Sequence, residues 1–426
     1  MIGKGNNWGL YTVNLSVNIG GLELKNPFIL ASSDNTRDIK QIKRAEEYGA
    51  SAVVLKAMLP SDSDELASML RVFVDAKGKT VYGTAGANRL TYDQGVDLVK
   101  AAKKETGIKI GINIPFFLLE DYEVIIDGIK RLTAAGADFV ELNFKPSIIA
   151  RPAVKRMFRK QDFTMQEEEQ EYEDYAHNLM NFVTTRTRAV KEIVDIPVIA
   201  KLTPDGVDEV ALAMAAERGG ADAVDAIGSL GGAYNIDIYD NGRSKIPGAI
   251  KGFFQINGAV LKPFSQGIVA RISSAMNIPV IGTGGLTGWT DVVEMIMFGA
   301  HAVSFCALLM IQGFEALPVI DRGLREFMEQ QGYDSLDDFR GIALQHMSPS
   351  MAACEFEQSV ARIDSEKCTG CGICLKPAHC LATYAIEGKV AIDEAECLGC
   401  GTCLLLCPAS AVSMVVLQLD SLYPGD

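Results

Sequence analysis

No stretch of the chain approaches the roughly 20 apolar residues needed to span a bilayer, and Met1 to Leu10 holds no long apolar run. A polybasic footprint is also missing. Asp and Glu outnumber Lys and Arg by 54 to 40, and the net charge of -14 argues against nucleic acid or an anionic membrane as the main partner. No Gly-x-Gly-x-x-Gly follows an apolar strand, so a built-in nicotinamide domain is not supported. Spare cysteine is scarce as well. Of the 10 cysteines all but Cys306 and Cys354 fall in one C-terminal array, which leaves too few for a disulfide framework and points to a reducing, cytoplasmic location.

What is present begins with that array. It reads Cys368, Cys371, Cys374, Cys380 and then Cys397, Cys400, Cys403, Cys407, followed by Pro408. Two runs of three thiols at two-residue gaps, each completed by a fourth, make the ligand set of two [4Fe-4S] clusters in which the fourth thiol of each run serves the other run's cluster. The spacing therefore assigns Cys368, Cys371, Cys374 and Cys407 to one cluster, and Cys397, Cys400, Cys403 and Cys380 to the other. Structural zinc is the plainer alternative, since paired C-x2-C units also make zinc sites, although zinc has no use for three thiols in a row at this pitch. The array resembles a bacterial two-cluster ferredoxin domain, with one departure: Leu375 to His379 separate Cys374 from Cys380 where that pattern has three residues. Clusters of this kind carry one electron at a time, so the larger part of the chain should make or consume electrons.

That larger part carries a weak repeat. A helical stretch ending in Gly-Ala or a close variant, then a short apolar run, recurs at residues 49–54, 136–140, 220–224 and 299–303. Glycine there suits the left-handed residue that ends a helix. Between these lie residues 108–112, 196–200 and 278–282, and Phe28 to Ala31 near the start completes a set of eight. Continuous apolar runs separated by helix-length amphipathic segments are strands buried on both faces of a parallel sheet. Strict alternation predicts an α/β fold, a (β/α)8 TIM barrel over residues 1–356 with its closing helices. A small α+β two-cluster ferredoxin-like domain follows over 357–426. The active site of such a barrel lies at the C-terminal ends of its strands.

Those ends are Ala31-Ser32, Lys56, Asn113, Asn143, Lys201, Gly228-Ser229, Thr283-Gly284-Gly285 and Cys306-Ala307. Lys56 and Lys201 directly end buried apolar strands, which is costly unless something anionic meets them. A lysine that snorkels out, or pairs with a carboxylate, is the alternative. The run Gly282 to Gly285 is a backbone-exposing turn after strand 7, where barrels bind phosphate through free N–H groups.

From about Val13 to Val415 the chain resembles the dihydroorotate dehydrogenase superfamily of FMN barrels, and most closely the catalytic part of dihydropyrimidine dehydrogenase, which also ends in a two-cluster ferredoxin domain. The residues that carry the likeness are Asn26 to Ser32, Glu141 to Phe144, Ala200 to Pro204, Gly258 with Leu261-Lys262-Pro263, and Thr283-Gly284-Gly285. The resemblance implies that Ala31, Ser32, Lys56, Asn113, Asn143, Lys201 and Ser229 surround the flavin ring and ribityl chain. It implies that Gly258, Gly284, Gly285, Cys306 and Ala307, beside Thr283, offer backbone N–H groups to the FMN phosphate. A cation near flavin N1 stabilises the reduced anion. Lys201 takes that role and Lys56 the flavin edge and substrate side. A homodimer is expected from the resemblance alone.

The departures are informative. Family members carry Asn-Leu-Ser-Cys-Pro or a close relative after strand 4, with Cys or Ser as acid or base, whereas this chain has Asn143-Phe144-Lys145-Pro146-Ser147. Pro146 can neither give nor take a proton. Ser147, one residue late, is the candidate, against the plainer reading of a turn-forming serine. Asn88 matches one pyrimidine-holding asparagine, but Leu90 and Gly228 replace polar partners, and each ring polar group left dry costs about 1–3 kcal/mol. The segment from Lys145 to about Gln166 is basic at Arg151, Lys155, Arg156, Arg159 and Lys160. It reads either as a solvated charged face or as a lid that meets substrate carboxylate or phosphate. Tyr172, Tyr175 and His177 are further proton donors to consider there.

These features predict an FMN- and iron–sulfur-dependent oxidoreductase that reduces, or forms, an activated C=C bond of a small anionic substrate. The alternatives are an NAD(P)-linked dihydropyrimidine dehydrogenase catalytic subunit and an electron-transfer subunit without substrate chemistry of its own. Lacking a nicotinamide domain, the protein would receive electrons from ferredoxin or from a separate NAD(P)H-oxidising flavoprotein.

Overall fold

The computed structural model describes residues 13–60, 72–74, 80–83, 89–115, 122–144, 179–202, 208–232, 236–244, 254–347, 359–377 and 380–417. The chain divides into two compact units, Met1–Met347 and Ser348–Asp426.

Each apolar run of the repeat is a strand of the first unit. In chain order they are β1 (Phe28–Leu30), β2 (Ala52–Val54), β3 (Lys109–Pro115), β4 (Phe139–Asn143), β5 (Val198–Lys201), β6 (Ala223–Ala226), β7 (Val280–Thr283) and β8 (Ala302–Phe305). They pair in parallel with their neighbours in sequence, and β8 closes the barrel on β1. A helix follows every strand, from Ile39–Glu47 after β1 to Ala316–Gln331 after β8. The fold is a (β/α)8 barrel. Its strands are buried on both faces, which is why they read as unbroken apolar runs rather than alternating ones. Gly49, Gly136, Gly220 and Gly299 take φ of 98°, 108°, 90° and 101°, so the repeated glycine does end each preceding helix in the left-handed region.

The last helix of the first unit is Ala316–Gln331, and Gly332, at φ 74°, terminates it. Tyr333 and Phe339 then stack with ring centroids 5.1 Å apart, and Ser335 bridges to Asn14. An N-terminal hairpin, Val17–Ile19 with Leu22–Leu24, buries alternate residues at the opposite end of the barrel from the site. Its Gly20 packs so closely on Asp222, at the start of β6, that a Cβ there would overlap the Asp222 carbonyl.

Register fixes which side chains face the barrel interior. Gly111 pairs with Phe139, Glu141 with Asn113, Asn143 and Asp225 with Lys201, and Thr283 with Ser304. Paired residues of parallel neighbours share a face, and faces alternate along a strand. Gly282 has the other parity and faces outward, since a Cβ on it would stand 3.1 Å from Met295 of helix Trp289–Met297. The polar set above therefore points inward. The loops after β2 and β6 add an antiparallel sheet at the C-terminal face, in the order Leu230–Gly232, Phe254–Gly258, Thr80–Gly83, Val72–Val74.

The second unit is two antiparallel ribbons, Ser359–Ile363 with Val412–Val416 and Thr383–Ile386 with Lys389–Ile392, plus the short helix Thr402–Leu406. The apolar strand Val412–Val416 thus pairs within its own unit.

The interior of the barrel is packed without slack at its waist, where the Phe139 ring covers Gly111. Gly111→Ala is expected to destabilise the protein by about 1–3 kcal/mol through overpacking. Chemical denaturation should show an earlier midpoint at unchanged slope; an unmoved midpoint would mean that the ring yields freely.

Candidate active site at the barrel mouth and thiol cavity of the second unit

Toward the C-terminal ends of the strands the inward positions turn from aliphatic to polar. Asn113 of β3, Glu141 of β4, Lys201 of β5, Asp225 of β6, Thr283 of β7 and Ser304 of β8 are all buried. Lys201 is the centre of this layer. Its Nζ lies 2.5 Å from Asp225 Oδ2 and 3.6 Å from Glu141 Oε2. Glu141 Oε1 accepts from Asn113 Nδ2, and Asn113 Oδ1 accepts from Asn143 Nδ2 at 3.5 Å. Burial opposes the charge on Lys201, but Asp225 and then Glu141 outweigh it and raise its pKa, so the lysine stays an ammonium. Burial raises Glu141 to about 7, with Lys201 pulling the other way and Asp225 adding to the rise.

Lys56 sits at the rim with its Nζ 3.4 Å from Asp34 Oδ2. Both strand-end lysines therefore have carboxylate partners, the alternative open from sequence. Cys306, at the end of β8, is close enough to both to interact with their charges. Burial pushes its thiol up, while the charges of Lys56 and Lys201 and a hydrogen bond with Ser33 pull it down. Acids missing from the sequence reading are thus Asp34, Glu141 and Asp225. The signal for two of them was there, as single charges inside the apolar runs Phe139 to Leu142 and Ala223 to Ala226.

Beside this layer lies a backbone cradle. Gly284 and Gly285 have φ of 107° and 82°, and a Cβ on Gly285 would overlap the amide nitrogen of Lys262, the first residue of helix Lys262–Ala275. Gly258, at φ 88°, turns the chain into the same helix. Pairing of Thr283 with Ser304 sets Gly284 and Gly285 next to Cys306 and Ala307. The turn is held from behind. Lys262 Nζ meets Asp291 Oδ1 at 2.5 Å and Glu294 Oε2 at 2.6 Å, and Asp291 Oδ2 accepts the Thr287 amide and hydroxyl, both at 2.7 Å. Of the other expected residues, Ala31 is buried and Ser32 and Ser229 are half-buried at the same end of the barrel. Ser147, Asn88, Tyr172, Tyr175, His177, Cys354 and the segment from Lys145 to Gln166 lie outside the described residues.

In the second unit, Cys368, Cys371 and Cys374 line one small cavity together with Cys407, more than thirty residues further along the chain. Cys397, Cys400 and Cys403 lie near enough to one another to interact electrostatically. The two loops have the same backbone: Gly370 and Gly372 at φ 70° and 68°, Gly399 and Gly401 at 67° and 69°. Main-chain amides point at the sulfurs, Ala411 N to Cys407 Sγ at 3.3 Å and Ala361 N to Cys397 Sγ at 3.4 Å. Among the described residues no group of three or more His, Cys, Asp or Glu converges as on a single metal ion. Cys380 is half-buried.

The family model described as dihydroorotate dehydrogenase matches residues 14–328. The "dihydroorotate dehydrogenase B (NAD(+)), catalytic subunit" of Thermococcus kodakarensis is 29% identical over 336 residues, 78% of this chain and 98% of that one. Its namesake from Pyrococcus abyssi is 30% identical over 333 residues, covering 78% and 99%. The "NAD-dependent dihydropyrimidine dehydrogenase subunit PreA" of Escherichia coli is 25% identical over 382 residues, covering 86% and 85%. No helix among the described residues is long and apolar enough to cross a membrane. With a closed eight-stranded barrel, a lysine-centred polar mouth and a family match across that whole barrel, the chain belongs to the dihydroorotate dehydrogenase family, flavin-dependent oxidoreductases acting on CH–CH bonds.

Proposed function

We propose that the chain binds FMN in the barrel and two [4Fe-4S] clusters in the second unit, and reduces, or forms, an activated C=C bond of a small anionic substrate. The observation that carries the flavin part is the coincidence at one barrel end of a buried, charge-fixed ammonium with a left-handed glycine turn, Gly284-Gly285, packed so closely on Ser265 and Lys262 that neither position has room for a Cβ. Buried Thr283 Oγ1 and Ser304 Oγ, both without a hydrogen-bond partner, border the same mouth and suit a polar ligand. Gly258, Gly284, Gly285, Cys306 and Ala307 would hold the phosphate, and Ala31, Ser32, Asn113, Asn143 and Ser229 the ring and its chain. When bound, FMN would supply hydride chemistry at carbon, and the clusters would supply electrons singly.

The protein's own part is electrostatic. Asp225, in close contact with Lys201, keeps it charged, so a positive group stands ready where negative charge develops. Lys56, held by Asp34, and Ser147 remain our candidates for the substrate side, Ser147 as acid or base and Lys56 as a cation. A ring of thiols around a cavity fits a cluster, each of whose irons takes one sulfur, and Cys407 among Cys368, Cys371 and Cys374 supports the crossed ligand set. A ferredoxin-like role for this unit over residues 357–426, and ferredoxin or a separate NAD(P)H-oxidising flavoprotein as the electron partner, follow from that reading. A second reading, a dihydropyrimidine dehydrogenase catalytic subunit, is favoured by the greater reach of the PreA likeness, 86% of this chain against 78% for the archaeal relatives. Pro146, Leu90 and Gly228 weigh against it.

Anaerobic mixing of the chemically reduced protein with uracil or thymine separates these readings. We expect flavin absorption that stays bleached; its rapid return would establish pyrimidine reduction instead, and a protein without flavin would overturn the FMN assignment. Ligand crossing is tested by electron paramagnetic resonance of the reduced protein. Cys407→Ser should alter the cluster held by Cys368, Cys371 and Cys374, and so reproduce the spectrum of Cys371→Ser, whereas Cys380→Ser should match Cys400→Ser. The opposite pairing would show that each run keeps its own fourth thiol.

A further inference from the structure

The interior of the barrel holds more acid than its lysine can match. Asp225 and Glu141 side chains are 1% and 2% exposed, and a single ammonium, that of Lys201, stands between them. Low-dielectric surroundings penalise two buried carboxylates that share one cation, and one of the pair is expected to keep a proton. The geometry selects which. Asp225 Oδ2 takes the close contact with Lys201 at 2.5 Å, whereas Glu141 Oε2 stands off at 3.6 Å and its other oxygen is served by the neutral amide of Asn113. Asp225 Oδ1 is buried without a donor, and the Glu141 carboxyl lies within hydrogen-bond reach of Asp225. A proton on Glu141 satisfies both acids at once. The charged and titratable groups that act on this pair are Lys201 from β5 and, through Lys201, Cys306 at the end of β8, which in turn interacts with the charges of Lys56 and Asp34.

We propose that Glu141 is a proton-holding positioning residue for Lys201: neutral, it donates to Asp225 and leaves the ammonium free to face the barrel mouth; ionised, it draws the ammonium inward. An anion, or negative charge developing, over Lys201 then favours the neutral form, and by reciprocity the neutral form favours that charge. This coupling rests on the flavin reading above; the shared proton does not. Deletion of the positive partner is not needed to see it.

The test is an isotope-edited infrared titration of the full chain as purified, with carbon-13 in its glutamates. A protonated-carboxyl band is expected to persist up to a midpoint of about 7 and to vanish in Glu141→Gln. Asp225→Asn, which hands Lys201 to Glu141, should move that midpoint to lower pH by at least one unit, a tenfold change in proton affinity. A wild-type spectrum without such a band at pH 6, or a midpoint indifferent to Asp225→Asn, overturns the proposal. For the coupling, the flavin midpoint potential of the holoenzyme should fall more steeply with pH in a segment starting near 7, and Glu141→Gln should lack that segment. Equal slopes in the two proteins would refute the coupling. Absence of flavin would refute the functional reading and leave the infrared result to decide the shared proton.

Discussion

A cation buried in the middle of a protein dictates much of what surrounds it. Taking an ammonium out of water costs several kcal/mol, offset only where acids and hydrogen bonds meet it in good geometry. Lys201 meets that condition through two strands at once, β4 with Glu141 and β6 with Asp225, and through Asn113 of β3 behind Glu141. Four adjacent strands must therefore hold one register. A slip of one residue in any of them would put an aliphatic side chain into the charged layer and a charge against the helices. The aliphatic and aromatic packing below, with Phe139 on Gly111, and the hairpin that closes the far end then serve to keep that register.

The second unit is built on the opposite principle. Among the described residues its buried apolar set is small, Val360, Ala361, Ala382, Val390, Cys403, Ala411 and Val412, with other thiols packed against its centre. So little apolar burial is weak support for an independent fold of this size. The loops instead depend on left-handed glycines, which bring carbonyls of other segments into contact, as Gly399 does with Ser359. Such a framework suits a unit whose ligand supplies part of the folding free energy.

The barrel was legible in the sequence because strands buried on both faces leave unbroken apolar runs, and because helix-ending glycines mark the repeat. Lys56 and Lys201 stood out as charges at the ends of those runs. Their partners were less visible for a physical reason. Glu141 and Asp225 lie inside apolar runs, where one polar residue reads as noise until pairing shows that it shares a face with Lys201. Asp34 lies in a short 3-10 turn after β1, with no periodicity to place it. The sheet at the C-terminal face was missed because its strands come from loops far apart in sequence.

The division of labour between strand and loop also limits how such a protein can change over evolutionary time. The charged lining depends on counting residues by twos along each strand, so an insertion or deletion of one residue there would destroy it, while a change of length beyond the strand ends leaves that count undisturbed. Length is thereby constrained in one part of the chain and free in another, and an ammonium held at a set depth is compatible with strand-end segments of many lengths.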